Sequence, residues 1–128
     1  LLEALGKRGA ALMVFSNKDD ADTRDVVSHY FPGVAFAAVA GSRPDLPLKP
    51  DPAALFRMME ALDLKPEDGV YLGDTVMDMQ CAKAAGLYAV AALWGFQTRE
   101  MLEAEQPDRF IAHPLELLDV AAERFPSR

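Results

Sequence analysis

The chain alternates short apolar runs with longer segments in which apolar residues recur every three or four positions. The first run, Ala10 to Phe15, stops abruptly at Ser16-Asn17-Lys18. A run without polar alternation reads as a strand covered on both faces, as in parallel sheets. Asp19, Asp20 and Asp22 then crowd a helix N-terminus, where negative charge suits the dipole. Val26, Val27, Tyr30 and Phe31 form that helix's expected apolar face, and Pro32-Gly33 ends it. Val34 to Ala40 is a second strand-length run, closed by Gly41. Four prolines between Ser42 and Pro52 predict a loop.

Leu55, Met59 and Leu62 then repeat at helical spacing. Lys65-Pro66-Glu67-Asp68 is a turn, and Val70-Tyr71-Leu72 is a strand ending at Gly73-Asp74. A helix from about Thr75 to Ala85 is closed by Gly86. Tyr88 to Ala92 and Phe110-Ile111 supply further strands, with helices near Arg99 to Glu105 and Pro114 to Phe125. Leu115, Leu118, Ala122 and Phe125 form the last helix's expected buried stripe. Strands alternating with helices predict an α/β fold, a Rossmann-like parallel sheet with helices on both faces.

Length and charge narrow the function classes. A length of 128 residues allows one domain and argues against two. Thirteen basic against twenty acidic residues give a net charge of −7, which argues against nucleic acid and against an anionic membrane surface. The uncharged stretches, Val26 to Ser42 and Ala84 to Thr98, are broken by Pro or Gly before reaching the ~18 apolar residues of a membrane span. A single cysteine, Cys81, excludes an internal disulfide and a multi-cysteine zinc site, leaving the cytoplasm as the expected compartment. Leu1 to Arg8 reads as the end of an amphipathic helix capped at Gly9, with no initiator Met. This predicts the C-terminal part of a longer protein.

In an open α/β sheet, ligands bind beyond the carboxyl ends of the strands. Ser16, Asn17 and Lys18 stand there after the first run, and Lys49 precedes the helix that follows the proline-rich loop. Asp74 lies at the third strand's tip, with Asp78 one turn into the next helix and so on the same face. Two carboxylates of this kind suit Mg²⁺; they equally suit a turn residue and a solvated helix position. Ser16 is either a strand-end hydroxyl or part of a phosphate cradle. Lys49 is either an exposed loop lysine or a cation facing a phosphate.

Taken in order, Ser16-Asn17-Lys18, Lys49-Pro50-Asp51-Pro52, Val70-Tyr71-Leu72-Gly73-Asp74-Thr75 with Asp78, and Ala82-Lys83-Ala84-Ala85-Gly86 resemble the haloacid dehalogenase-like phosphohydrolases, nearest to their phosphoglycolate phosphatase branch. The resemblance runs from about Gly9 to Val120. It implies a Mg²⁺-dependent phosphate monoester hydrolase working through an aspartyl-phosphate on a small phosphorylated metabolite. Ser16, the Asn17 backbone and Lys18 would meet the phosphate, with Lys18 given no firm role. Lys49 would neutralise charge between nucleophile and phosphate. Asp74 would bind Mg²⁺ directly, and Asp78 would hold a metal-bound water or orient Lys49.

The family's nucleophile and acid/base form an Asp-x-Asp after an apolar strand, and this chain has none there. Asp20-Ala21-Asp22 has that spelling but opens a helix. Residues 1–128 are therefore expected to be the C-terminal part of the core, inactive alone and lacking its first strand and cap. The interval from Ser16 to Lys49 is filled by a helix and a strand, so no cap is inserted there. The two edges left without that strand are expected to pair with each other or to bring two copies together as a homodimer, unless the first part was lost by proteolysis. A receiver domain would place its acids before the hydroxyl and the lysine, against the order here. A non-catalytic Mg²⁺- and phosphate-binding or structural module is the alternative from another class. Cys81 is expected to pack in the core, His29 and His113 have no evident catalytic partner, and Trp94 and Phe96 either pack or line the site's mouth.

Overall fold

A computed structural model describes residues 1–95 and 97–125; Phe96 lies outside the described residues. Helix α1 (Leu2–Lys7) leads into β1 (Met13–Asp19), α2 (Asp20–Tyr30), β2 (Ala38–Ser42) and α3 (Ala53–Ala61). A 3₁₀ turn (Pro66–Asp68) precedes β3 (Val70–Gly73), α4 (Val76–Ala85), β4 (Tyr88–Ala92), α5 (Arg99–Glu103), β5 (Arg109–Ile111) and α6 (Glu116–Arg124). The fold is α/β and every strand pairing is parallel. The strands form two sheets, β1-β2 and β3-β4-β5.

The three-stranded sheet is covered on both faces, and its side chains alternate accordingly. Tyr71, Ala89 and Ala91 face a core built with Leu55 and Met59 of α3, Met79, Cys81 and Ala82 of α4, and Leu102 of α5. Val70, Leu72 and Val90 face Leu117 and Val120 of α6. The sheets are joined at the carboxyl end of β1 by Lys49, whose backbone bonds Asn17 and whose ammonium reaches Asp78. At the other end the Arg8 guanidinium donates to the Phe125 carbonyl. Between β1 and β3 lies an apolar cavity of about 510 Å³, lined among others by Leu12, Met13, Phe15, Val70, Leu72 and Leu117.

Several boundaries depart from the sequence reading. β1 starts at Met13 and continues through Ser16-Asn17-Lys18 to Asp19. Its ladder with β2 breaks register between Phe15 and Asp19, then resumes at Asp19 and Ser42. The polar segment is thus the irregular end of the strand rather than a loop beyond it. β2 begins at Ala38 and runs through Gly41 to Ser42.

The expected face of α2 is largely exposed, with Tyr30 68% accessible and Val26 and Phe31 also open. Its one fully buried residue is Thr23, whose hydroxyl donates to the carbonyls of Lys18 and Asp19. α6 starts at Glu116 and its buried residue is Val120, with Leu117 packed in the same cluster; of the expected stripe Leu118 and Phe125 are half-buried, while Leu115 is 63% accessible and Ala122 is exposed. β4 lies where the sequence places it, and Gly86 ends α4 at a positive φ of 80° as expected. Among the described residues no helix is long and apolar enough to cross a membrane.

Candidate active site at the strand ends

Asp78 organises the carboxyl end of β3. Thr75 caps α4: its hydroxyl accepts from the Asp78 N–H at 3.1 Å, and the Asp78 carboxylate bonds back to the Thr75 N–H. This reciprocal cap needs a hydroxyl and an acid three residues apart. Asp78 Oδ2 also accepts from the Asp74 N–H and the Thr75 hydroxyl, at 3.2 and 2.9 Å. Its Oδ1 accepts from Lys49 Nζ at 2.8 Å and from the Tyr71 hydroxyl at 2.9 Å.

Gly73 makes room for this carboxylate, because a Cβ at position 73 would fall 2.6 Å from Asp78 Cγ. Burial pushes the Asp78 carboxyl up. The hydrogen bond and charge of Lys49, with the bonds from Tyr71 and Thr75, outweigh burial and hold it below the ordinary carboxylate value. The Tyr71 hydroxyl is pushed far up, first by burial and then by the charge of Asp78, and therefore stays a proton donor.

Lys49 is fixed from three directions. Asn17 clamps its backbone: Asn17 Oδ1 accepts from Lys49 N at 2.8 Å, and Asn17 Nδ2 donates to the Lys49 carbonyl at 3.4 Å. The Lys49–Pro50 peptide is cis. The ammonium meets Asp78 and lies 5.6 Å from the centre of the Phe15 ring. The Lys49 and Asp78 side chains are only 12% and 9% accessible, so the pair is largely desolvated.

The structure thus joins Asn17, Lys49 and Asp78 into one network, with Asp74 attached through its backbone. Ser16 borders the network, and its hydroxyl accepts from the Lys18 N–H at 3.1 Å. Lys18 is exposed. Cys81 is fully buried on α4, its thiol pushed up to about 11 chiefly by burial. His29 stacks edge-on with Tyr30, away from the site.

The Asp74 carboxylate accepts no hydrogen bond from any described residue, unlike that of Asp78. It is an oxygen donor of the kind a hard divalent cation prefers. Among the described residues no three His, Cys, Asp or Glu side chains are grouped so that they could hold a metal ion together.

Three contributors escaped the sequence reading. Tyr71 reads in the sequence as strand body, although a buried phenol calls for a partner. The Asn17 side chain binds Lys49, whereas the sequence pattern points only to its backbone. Gln97, whose Oε1 accepts from Val76 N at 2.6 Å, carries no signal in the sequence.

Comparison with known proteins adds the family. The family described as haloacid dehalogenase-like hydrolase matches residues 1–92. The chain belongs to that family. Haloacid dehalogenase-like relatives named phosphoglycolate phosphatase include those of Vibrio vulnificus, 32% identical over 93% of this chain and 52% of the relative, and Pseudomonas putida, 30% identical over 86% and 40%. A solved haloacid dehalogenase-like protein from Streptococcus pneumoniae superimposes with a TM-score of 0.84 at 28% identity, covering 93% of this chain and 55% of that one. The chain spans about half the length of the relatives it matches.

Proposed function

We propose that the complete protein hydrolyses small phosphate monoesters of the phosphoglycolate type with Mg²⁺, and that this chain supplies the charge-stabilising half of its site. The observation that carries the reading is the desolvated Lys49 ammonium, clamped by Asn17 and Asp78 at the ends of β1 and β3. Phosphoryl transfer asks mainly for positioned charge, and a preorganised cation needs no rearrangement as charge develops.

Ser16 and the Asn17 N–H receive phosphoryl oxygens, and Lys49 faces the charge between nucleophile and phosphate. Asp74, whose oxygens accept from no described residue, holds Mg²⁺ directly. Asp78 has both oxygens engaged and orients Lys49. When bound, Mg²⁺ would neutralise phosphate charge. The aspartate nucleophile and acid/base come from an Asp-x-Asp segment outside this sequence, so residues 1–128 alone turn nothing over. The reducing cytoplasm is the compartment we assign.

The test is hydrolysis of phosphoglycolate and p-nitrophenyl phosphate by the complete gene product. Activity should vanish with EDTA and fall about 100-fold or more in Asp74→Asn. Lys49→Ala should act mainly on kcat. Undiminished turnover in EDTA, or in folded Asp74→Asn, overturns the metal assignment.

A further inference from the structure

Each carboxylate at the tip of β3 is seated on a glycine, and the two glycines come from different parts of the chain. Gly73 seats Asp78. Asp74 is seated by Gly95, in the turn that follows β4: a Cβ on Gly95 would stand 2.7 Å from Asp74 Cγ and nearer still to its Oδ2. No other residue type leaves the carboxylate where it is.

Two residues further on, Gln97 reaches back to the same place. Its Oε1 accepts at 2.6 Å from the N–H of Val76, the first residue of α4, a donor with no partner inside the helix. One turn therefore contacts both the Asp74 side chain and the backbone two residues beyond it. No described residue donates to the Asp74 carboxylate, and the Gly95 backbone packed against it bounds where it can sit.

We infer that the turn between β4 and α5 is the positioning element for the Asp74 carboxylate, Gly95 setting how far it reaches and Gln97 fixing the helix start behind it. The inference rests on the reading of Asp74 as a cation ligand. Groups that orient a ligand influence affinity without touching the metal. A purely structural turn would instead alter stability alone.

The experiment titrates Mn²⁺ into the complete gene product, reading paramagnetic broadening of backbone amides and, in parallel, thermal unfolding. Broadening should centre on Asp74 and Thr75 and disappear in Asp74→Asn. Gly95→Ala should raise the apparent Kd about tenfold, and Gln97→Ala by about threefold, in proteins whose amide spectra remain dispersed. Gly33→Ala, where a Cβ meets nothing within 4 Å, should leave affinity unchanged.

A folded Gly95→Ala protein that binds Mn²⁺ within twofold of the parent overturns the inference and leaves the metal reading standing. If Gly95→Ala does not fold, the same result in Gln97→Ala decides. Broadening that is absent from the parent, or indifferent to Asp74→Asn, overturns the metal reading and this inference with it.

Discussion

Asp78 takes five hydrogen bonds on two oxygens, so its removal should be felt beyond the charge it carries. Asp78→Ala strands a largely buried Lys49 ammonium and should cost about 3 kcal/mol or more. Tyr71→Phe removes one donor and keeps the ion pair, which predicts a smaller loss of about 1–2 kcal/mol in urea unfolding. The pH dependence has a definite sign. The folded Asp78 carboxyl lies below its ordinary value, so the unfolded chain binds the extra proton. Its stabilisation is complete above the ordinary carboxylate pKa of about 3.9 and is lost as pH falls through the lower folded value. Urea midpoints from pH 7 down to 2 should fall further in the parent than in Asp78→Asn, in which the lowered Asp20 and Glu116 carboxyls still titrate. The sequence made Asp74 legible because it stands just beyond an apolar run, Asp78 because it follows one helical turn on, and Lys49 because it closes the proline-rich loop before a helix. It hid Tyr71 because that residue's handle lies inside such a run.

At the scale of elements, apolar runs report which side chains are covered, and they locate strands well only when pairing and covering coincide. In β4 they do: Ala89 to Ala92 are buried and paired along their length. In β1 they do not, because the backbone keeps pairing with β2 into the polar segment after the register break. α6 exposes a different weakness. The stripe expected at Leu115, Leu118, Ala122 and Phe125 puts two residues in solvent and misses the buried Val120, because residues two apart lie about 200° round a helix. The two phases are separable by experiment. Val120→Ala should cost about 2 kcal/mol by emptying a fully buried position. Leu115→Ala should fall within about 0.5 kcal/mol of the parent. Equal losses in thermal or urea unfolding would contradict the observed phase.

For the whole molecule, the apolar cavity between β1 and β3 connects fold to behaviour in solution. Both strands carry backbone donors and acceptors on their facing edges, and among the described residues no strand lies between them. Unpaired edges beside apolar side chains favour association with another chain. The net charge of −7 opposes the approach of two copies. Association of residues 1–128 should therefore depend on concentration and strengthen with salt, which screens the repulsion while leaving apolar burial intact. Sedimentation velocity across a range of concentrations at low and high salt would show the shift. Leu12→Lys puts a charge on the cavity wall and should return the chain to monomer if the edges and cavity are the contact. Association untouched by that substitution would place the contact elsewhere, with the exposed Val26, Tyr30 and Phe31 of α2 the next surface to substitute.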